Sequence, residues 1–477
     1  MEIIKKKWLK DTLLTVLLIA IIFAIYFLIN WGVEKINIED IDLTSDKIYS
    51  ISEATRTKLK DLDKDVQIQL INLKDYTYLN DFTNKYTQLN SHISVEKIED
   101  ISARADLINE YQLEQTDSLI VIKSGDRKTE LTTSDLYTYD YTTYEQIDIT
   151  EEAITNAIIE VTIEDKPKVY YLTGHENLNV GYFQLFLQEV EKEANEVDTL
   201  NILTAGSVPE DCDCLIITTV KTDFTEMEKE KLIEYANKGG KILLLADSNV
   251  LGNETPNFDA FLDLYGFTIS KGVILEQDNS KMVYGSPEFV ISEIEGVINQ
   301  NVKMNMSICA IDTGRVEFKD EEALSNLGIT YTTIAKTSNS AFLRTNLSLQ
   351  SLEKTKQDED APESIIGALV TRKLEDGKTS EMIVYANSMF ATNQQVSMSG
   401  SYPIYANRLC NNDDVAINSI AYLTQRTDTI TIRKNSDSIT YTPTQTQHNI
   451  VVAIIFLVPV AIIVLGIVIW QVRRRKK

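Results

Sequence analysis

The sequence predicts an α/β fold: a membrane-anchored ectodomain built on a doubly wound, mostly parallel sheet, with a smaller N-terminal α/β domain and one transmembrane helix at each end. Three observations carry this prediction. Apolar strand-like runs alternate with amphipathic helical segments from residue 166 to residue 247, the pattern of βαβ units. A long apolar run stands near each end of the 477-residue chain. Charge is segregated as well: nine of the 46 basic residues but only two of the 71 acidic ones flank those runs, so the stretch between carries 37 basic and 69 acidic residues.

The first apolar run reads Thr12 to Trp31 behind Lys5, Lys6, Lys7 and Lys10, and the second reads Ile450 to Trp470 ahead of Arg473, Arg474, Arg475, Lys476 and Lys477. A hydrocarbon core of about 30 Å needs about 20 apolar residues at a rise of about 1.5 Å each, and neither run contains a charge. A cleaved secretory signal is the competing reading of the first. Its apolar stretch exceeds the usual length of about 7–15 residues, and no A-x-A-like site follows in Asn30-Trp31-Gly32-Val33, so an uncleaved anchor is expected. Lys and Arg near a span stay on the cytoplasmic side. The expected topology is therefore two-pass, in the cell membrane. It has cytoplasmic flanks at 1–11 and 471–477, spans at 12–31 and 450–470, and an extracellular stretch over about 33–448. The acidic surplus of that stretch repels nucleic acid and anionic headgroups, which excludes nucleic-acid binding.

A stretch of more than 400 residues exceeds one ordinary core, so at least two domains are expected. The first spans 33–165. Ser52 is placed to cap a helix running through Leu59 and Leu62. Val66 to Ile71 alternates as a half-buried strand, a helix follows over about Tyr78 to Leu89, and Ile93 to Ile98 is a second strand. Ser118 to Ile122 turns at Gly125-Asp126 into a returning strand near Arg127 to Leu131, and a helix from Glu151 to Val161 closes the domain.

The central domain is expected over 166–426. Lys168 to Thr173 reads as a strand, Gly174 as a turn, and about Tyr182 to Glu193 as a helix. Strands are expected at Asp198 to Leu203 and Cys214 to Thr218. The helix Thr225 to Ala236 carries a capping box through Glu228 and ends at Gly239-Gly240, and Lys241 to Ala246 is the next buried strand. A helix near Phe258 to Tyr265 precedes an irregular insertion over about 266–380. One more βα unit follows, with strand Glu381 to Ala386 and helix Asp413 to Thr424, before a return segment at 427–448.

Candidate chemistry is sparse. Gly377-Lys378-Thr379 resembles the end of a phosphate-binding loop, but Arg372 stands where its first glycine is required, and a hairpin turn is the better reading. His175 and Glu176 lie at the carboxyl end of a strand, where α/β sheets place ligands. A catalytic His175 needs a nucleophile and an orienting partner, and no G-x-S-x-G elbow or suitably flanked cysteine accompanies it, so a loop or binding role is preferred. Asp247-Ser248 also follows a strand; Asp247 either contacts a ligand or caps the following turn. No residue is assigned as catalytic, and no motif supports a metal or other cofactor. Cys212, Cys214, Cys309 and Cys410 form no framework, which leaves their disulfide state open. Cys212-x-Cys214 reads as small apolar residues entering a strand, with a redox pair as the alternative. An outer-surface domain with so few cysteines suits a bacterium better than a eukaryotic secretory route.

An ordered set of segments resembles one family. It begins with Asp42-Leu43-Thr44 and Tyr49-Ser50-Ile51-Ser52, and continues through Ile149 to Ile158 and Tyr171-Leu172-Thr173-Gly174-His175-Glu176. Val208 to Ile217, Tyr235 to Asp247, and Val384-Tyr385-Ala386-Asn387-Ser388 with Asn407, Asp414 and Asn418 complete it. Together with the bracketing apolar runs, the set resembles the auxiliary subunits of ABC transporters of the gliding-motility (GldG) type. The resemblance implies a domain like the class I glutamine amidotransferase sheet, without an established active site. Two departures stand out. The family's Gly-His-Gly-Glu appears as Gly174-His175-Glu176-Asn177, and its Gly-Asp-Ser as Ala386-Asn387-Ser388.

The expected function is thus a non-catalytic auxiliary subunit of a multisubunit ABC-type transporter. The chain lacks an ATP-binding motif and has too few spans for a transport path of the repeat type, so a separate permease and a cytoplasmic ATPase are the expected partners. The alternative is a membrane-anchored extracellular hydrolase using His175 with Asp247, or a ligand-binding surface protein.

Overall fold

The computed structural model describes residues 51–114, 117–139, 146–175, 178–248, 254–299, 306–349, 351–399 and 402–425, together with residue 472. The chain divides into two compact units, Met1–Ile51 with Ile439–Lys477, and Ser52–Ser438. Every element below belongs to the second. The terminal apolar runs, the return segment and Glu176 lie outside the described residues, among which no helix is long and apolar enough to cross a membrane.

The N-terminal domain follows its sequence pattern closely. Ser52 caps the helix Glu53–Leu59, its hydroxyl accepting from the Thr55 N–H at 3.2 Å. The central strand β1 (Val66–Ile71) runs parallel to β2 (Ile93–Ile98) and antiparallel to β3 (Leu119–Ser124). A turn at Gly125, φ 59°, then leads into β4 (Arg127–Leu131), giving the order β2-β1-β3-β4. The helix Thr77–Leu89 buries Leu79, Phe82 and Tyr86, one stripe at helical spacing. A short antiparallel pair, β5 (Tyr137–Tyr139) with β6 (Gln146–Asp148), precedes the helix Thr150–Thr162, which packs on β3 and β4. Glu151 in its first turn accepts from the Ser52 N–H at 2.7 Å and the Thr55 hydroxyl at 2.6 Å, which locks the domain's first helix to its last.

The central domain opens with four parallel strands: β7 (Lys168–Leu172), β8 (Glu196–Leu200), β9 (Cys214–Thr218) and β10 (Lys241–Leu245). Next along the chain come β11 (Phe267–Ile269), β12 (Val273–Leu275), β13 (Phe289–Glu293), β14 (Ser307–Ile311), β15 (Val316–Phe318) and β16 (Ile329–Lys336). Then follow β17 (Phe342–Arg344), β18 (Glu359–Asp360), β19 (Ile365–Lys373), β20 (Thr379–Tyr385), β21 (Gln395–Ser399) and β22 (Tyr402–Tyr405). The main sheet has seven strands in the order β16-β19-β20-β10-β9-β7-β8. Its five parallel members, numbered along the chain, read 2-1-3-4-5 across the sheet, a doubly wound order. β19 and β16 extend it antiparallel beyond β20.

Strand side chains alternate between two cores. Val169, Tyr171, Ile216, Leu243, Ile383 and Tyr385 pack on one face with residues of the helices Gln184–Lys192 and Asn412–Leu423. Leu172, Leu215, Ile217, Leu244, Met382 and Val384 pack on the other with the helices Glu226–Asn237 and Pro256–Asp263. The architecture is three layers, helix on sheet on helix.

Two expectations are revised. The strand expected at Asp198 to Leu203 is shifted to Glu196–Leu200, because Asn201 caps a helical turn over Ile202–Ala205 by accepting from the Thr204 N–H at 3.2 Å. The stretch 266–380 is richer in strands than an irregular insertion, and β16 and β19 within it join the main sheet. Gly377, φ 83°, lies in the turn between β19 and β20, so Gly377-Lys378-Thr379 is a hairpin connection.

Candidate functional site

The carboxyl edge of the parallel sheet gathers the residues singled out from sequence, in two separate corners. At the end of β7 the chain turns at Gly174, φ 107°, and presents His175, which is 8% exposed. Its Nδ1 donates to the Thr222 carbonyl at 2.9 Å and its Nε2 pairs with Glu228 Oε1 at 2.7 Å. Phe224 meets the ring edge-on at 5.0 Å between centroids. Both ring nitrogens are thus taken up within the fold, one by a backbone carbonyl and one by a carboxylate.

Glu228 is in turn the capping-box residue of the helix Glu226–Asn237, its Oε2 accepting from the Thr225 N–H at 2.8 Å and the Thr225 hydroxyl at 2.7 Å. Burial pushes its carboxyl up, but the bonds from Thr225 and His175 outweigh that and hold it below the usual range. The Lys221 N–H donates to the His175 carbonyl at 2.7 Å. The crevice between β7 and β9, where a 2-1-3-4-5 sheet reverses direction, is thus bridged by the chain's own atoms.

Asp247 and Ser248 occupy the second corner. The Asp247 carboxylate accepts from the Thr219 hydroxyl at 2.9 Å, the Ser388 hydroxyl at 2.6 Å and the Ser388 N–H at 2.5 Å. It joins the carboxyl ends of β9, β10 and β20. Ser248 donates to the Ser270 carbonyl and accepts from the Gly272 N–H, both at 2.7 Å, clasping the loop before β12. A Cβ at Gly272 would stand 2.7 Å from the Arg344 carbonyl, so glycine is required there. The structure therefore brings Asp247 and Ser248 together and engages His175 elsewhere, while Glu176 lies outside the described residues.

Beside Asp247 and Ser248 opens a cavity of about 690 Å³, the feature sequence reasoning missed. Its walls include Glu288, Asp312, Leu347, Leu349 and Leu352, all from the stretch expected to be irregular. The Asp312 carboxyl is pushed above the usual range, first by burial and then by the neighbouring charges of Glu288 and Asp247. Leu347, Leu349 and Leu352 belong to a strap that follows Arg344, which makes a buried ion pair. Arg344, 2% exposed, donates through Nε and Nη2 to the two Asp358 oxygens at 2.9 and 2.8 Å, and further to the Ser351 and Glu353 carbonyls. Arg344 holds the Asp358 carboxyl far below the usual range; burial opposes this, and bonds from Thr355 add to it.

Among the described residues no group of His, Cys, Asp or Glu is arranged to hold a metal ion. All four cysteines are free, and burial pushes the Cys212 thiol up to about 12 and the Cys214 thiol well above its ordinary value, against a thiolate redox pair.

No curated protein matches the chain. Three solved structures are similar to part of it. They are the mmIFT52 N-terminal domain (12% identity, 54% of this chain and 97% of that one, TM-score 0.39), a ThuA-like protein of Parabacteroides merdae (10%, 57% and 93%, TM-score 0.33), and a GMP synthase-like protein of Thermoplasma acidophilum (9%, 55% and 100%, TM-score 0.27). The model of a family of ABC transporter auxiliary proteins, described as "ABC-type uncharacterized transport system", matches residues 166–419, just over half of the sequence and the whole run from β7 into the helix Asn412–Leu423. The chain belongs to that auxiliary ABC transport family.

Proposed function

We propose that the protein is a non-catalytic auxiliary membrane subunit of a multisubunit ABC-type transporter, of the gliding-motility type, working beside a separate permease and a cytoplasmic ATPase. The family match across residues 166–419 is the observation that carries this reading. In it, residues 12–31 and 450–470 span the cell membrane with both termini cytoplasmic, and about 33–448 form an acidic extracellular module. That module comprises the N-terminal domain over 33–165, an amidotransferase-like domain over 166–426 and the return segment 427–448. Segregation of nine basic residues to the flanks supports the orientation. Engagement of both His175 ring nitrogens speaks against a hydrolase built on His175 and Asp247.

The test is affinity purification of the full chain from its native membrane in mild detergent. Co-purification of an ABC ATPase and a permease in fixed ratio is expected. Purification of the chain alone, with a hydrolytic turnover that His175→Ala abolishes, would overturn the reading.

A further inference from the structure

The cavity beside Asp247 combines a site of ligand size with two carboxylates that have no side-chain partner among the described residues. Its volume, about 690 Å³, lies within the range of about 300–1,000 Å³ typical of small-molecule sites. Glu288, before β13, and Asp312, after β14, are adjacent, with the Asp312 N–H donating to the Glu288 carbonyl at 3.1 Å. Oε2 of Glu288 is shut off from solvent and has no hydrogen-bond donor among the described residues, a costly state for a carboxylate oxygen. Asp312, an exposed residue, has no side-chain partner among the described residues and sits at φ 52°, a backbone conformation that aspartate and asparagine tolerate better than most.

The cations near the cavity do not answer these two groups. Arg344 is bound to Asp358. Lys271 acts on Asp259, which lines the same cavity. Lys221 stands exposed at the rim after β9. Asp247 is satisfied by Thr219 and Ser388.

Much of the rest of the lining is apolar, with Thr255, Gln394 and Gln395 among its polar members. Leu347 and Leu352 are 45% and 41% exposed although they belong to a strap anchored by a buried ion pair, and Leu349 lies between them along the same strap. Val273, Leu275 and Phe289 add apolar surface from β12 and β13. We propose that this cavity binds a small amphiphile carrying one ammonium group on an apolar body, the ammonium bridging Glu288 and Asp312 and the body lying against the strap leucines. An ammonium there supplies a donor to the buried Glu288 oxygen, pairs with the exposed Asp312 carboxylate and relieves their mutual repulsion. The apolar body covers leucines that water now meets. This inference goes beyond the transporter reading and does not depend on it.

The test uses the full chain in nanodiscs of zwitterionic lipid, titrated with dansylcadaverine, which carries a primary ammonium, and with its neutral analogue ending in a hydroxyl. Dansyl fluorescence over empty nanodiscs gives the signal. Saturable binding at one site is expected, about tenfold tighter for the ammonium probe than for the alcohol, the scale of a charge-assisted contact. Glu288→Gln combined with Asp312→Asn should bring the two probes level. Should the double variant not fold, Glu288→Gln alone should narrow the gap about threefold. Leu349→Ala should weaken both probes alike and leave their ratio intact. Equal binding of the two probes to the unaltered chain, a ratio unmoved by the carboxylate variants, or no saturable site would each overturn the proposal. A failed co-purification of transporter subunits leaves this result standing, and the converse holds as well.

Discussion

The two corners of the sheet edge use the same materials and reach opposite states. At the end of β7, His175 and Glu228 face each other at 2.7 Å, and their remaining polar atoms meet Thr222 and Thr225. At the ends of β10 and β14, Asp247 is equally well served, but an oxygen of Glu288 has no partner among the described residues and Asp312 faces solvent. A titratable group at a strand's carboxyl end is therefore a weak sign of function by itself. What separates the corners is saturation: the first spends its hydrogen bonds on closing the crevice, and the second keeps acceptors in reserve beside open volume.

The largest effect should come from the base of the strap on the open side. Arg344→Met removes the cation bonded to the buried Asp358 and strips donors from the Ser351 and Glu353 carbonyls. Breaking a buried pair from one side costs about 3–5 kcal/mol. Chemical denaturation should reveal that loss, and adding Asp358→Leu should recover much of it, because the uncompensated charge goes with it. A cost below about 1 kcal/mol would mean that the strap, and with it the open corner, is not organised by this pair.

The closed corner should respond next. His175→Ala deletes both ring contacts and leaves a void against Phe224, which together predict a loss of about 2–4 kcal/mol. The variant should still bind dansylcadaverine like the parent, since Thr222 and Glu228, the partners of its ring, do not line the cavity. Unchanged stability with lost binding would erase the distinction between the corners.

Much of the closed corner was legible from sequence. The strands β7, β9 and β10, the turn at Gly174 and the Thr225–Glu228 capping box all follow local rules, and only the role of Glu228 as acceptor for His175 is non-local. The open corner was not legible. Asp247 could be placed after a strand, but its partner Ser388 is 141 residues away. Glu288, Asp312 and Arg344 lie among short strands whose pairings are set by tertiary contacts. β16 hid for a related reason: as an edge strand it exposes Thr330, Tyr331 and Thr332, and its register shifts near Ala335, so no clean alternation marks it. Leu203 misled in the other direction, an exposed apolar residue that lengthened an expected strand.

Acid should separate the corners again, with a smaller effect. Glu228 and Asp358 are held below their ordinary values, so the stability they contribute is present above the unfolded carboxyl range, near 4.5 for Glu and 3.8 for Asp, and is lost as pH falls through the folded values. The melting temperature should therefore drop on acidification from about pH 5 to pH 3. His175→Ala should flatten the Glu228 part of that drop, since one of the bonds that lowers Glu228 is gone. A variant with the parent's acid profile would show that Thr225 alone sets Glu228.

Asp312 should behave with the opposite sign. Its carboxyl is raised by burial and by Glu288 and Asp247, so its contribution to stability is fully present below the unfolded value of 3.8 and is lost as pH rises through the folded value. At pH 7 the ionised group opposes folding, and Asp312→Asn removes that opposition while keeping a residue suited to φ 52°. Because the group opens to solvent through the cavity, screening limits the gain to a few tenths of a kcal/mol. The substitution should raise the melting temperature slightly at pH 7 and leave it unchanged at pH 3.5. Ammonium-ligand binding should abolish the difference at pH 7 by supplying the parent with the missing counter-charge. A variant less stable than the parent at neutral pH would mean that Asp312 has a favourable partner within the fold, and the open corner would then be as saturated as the closed one.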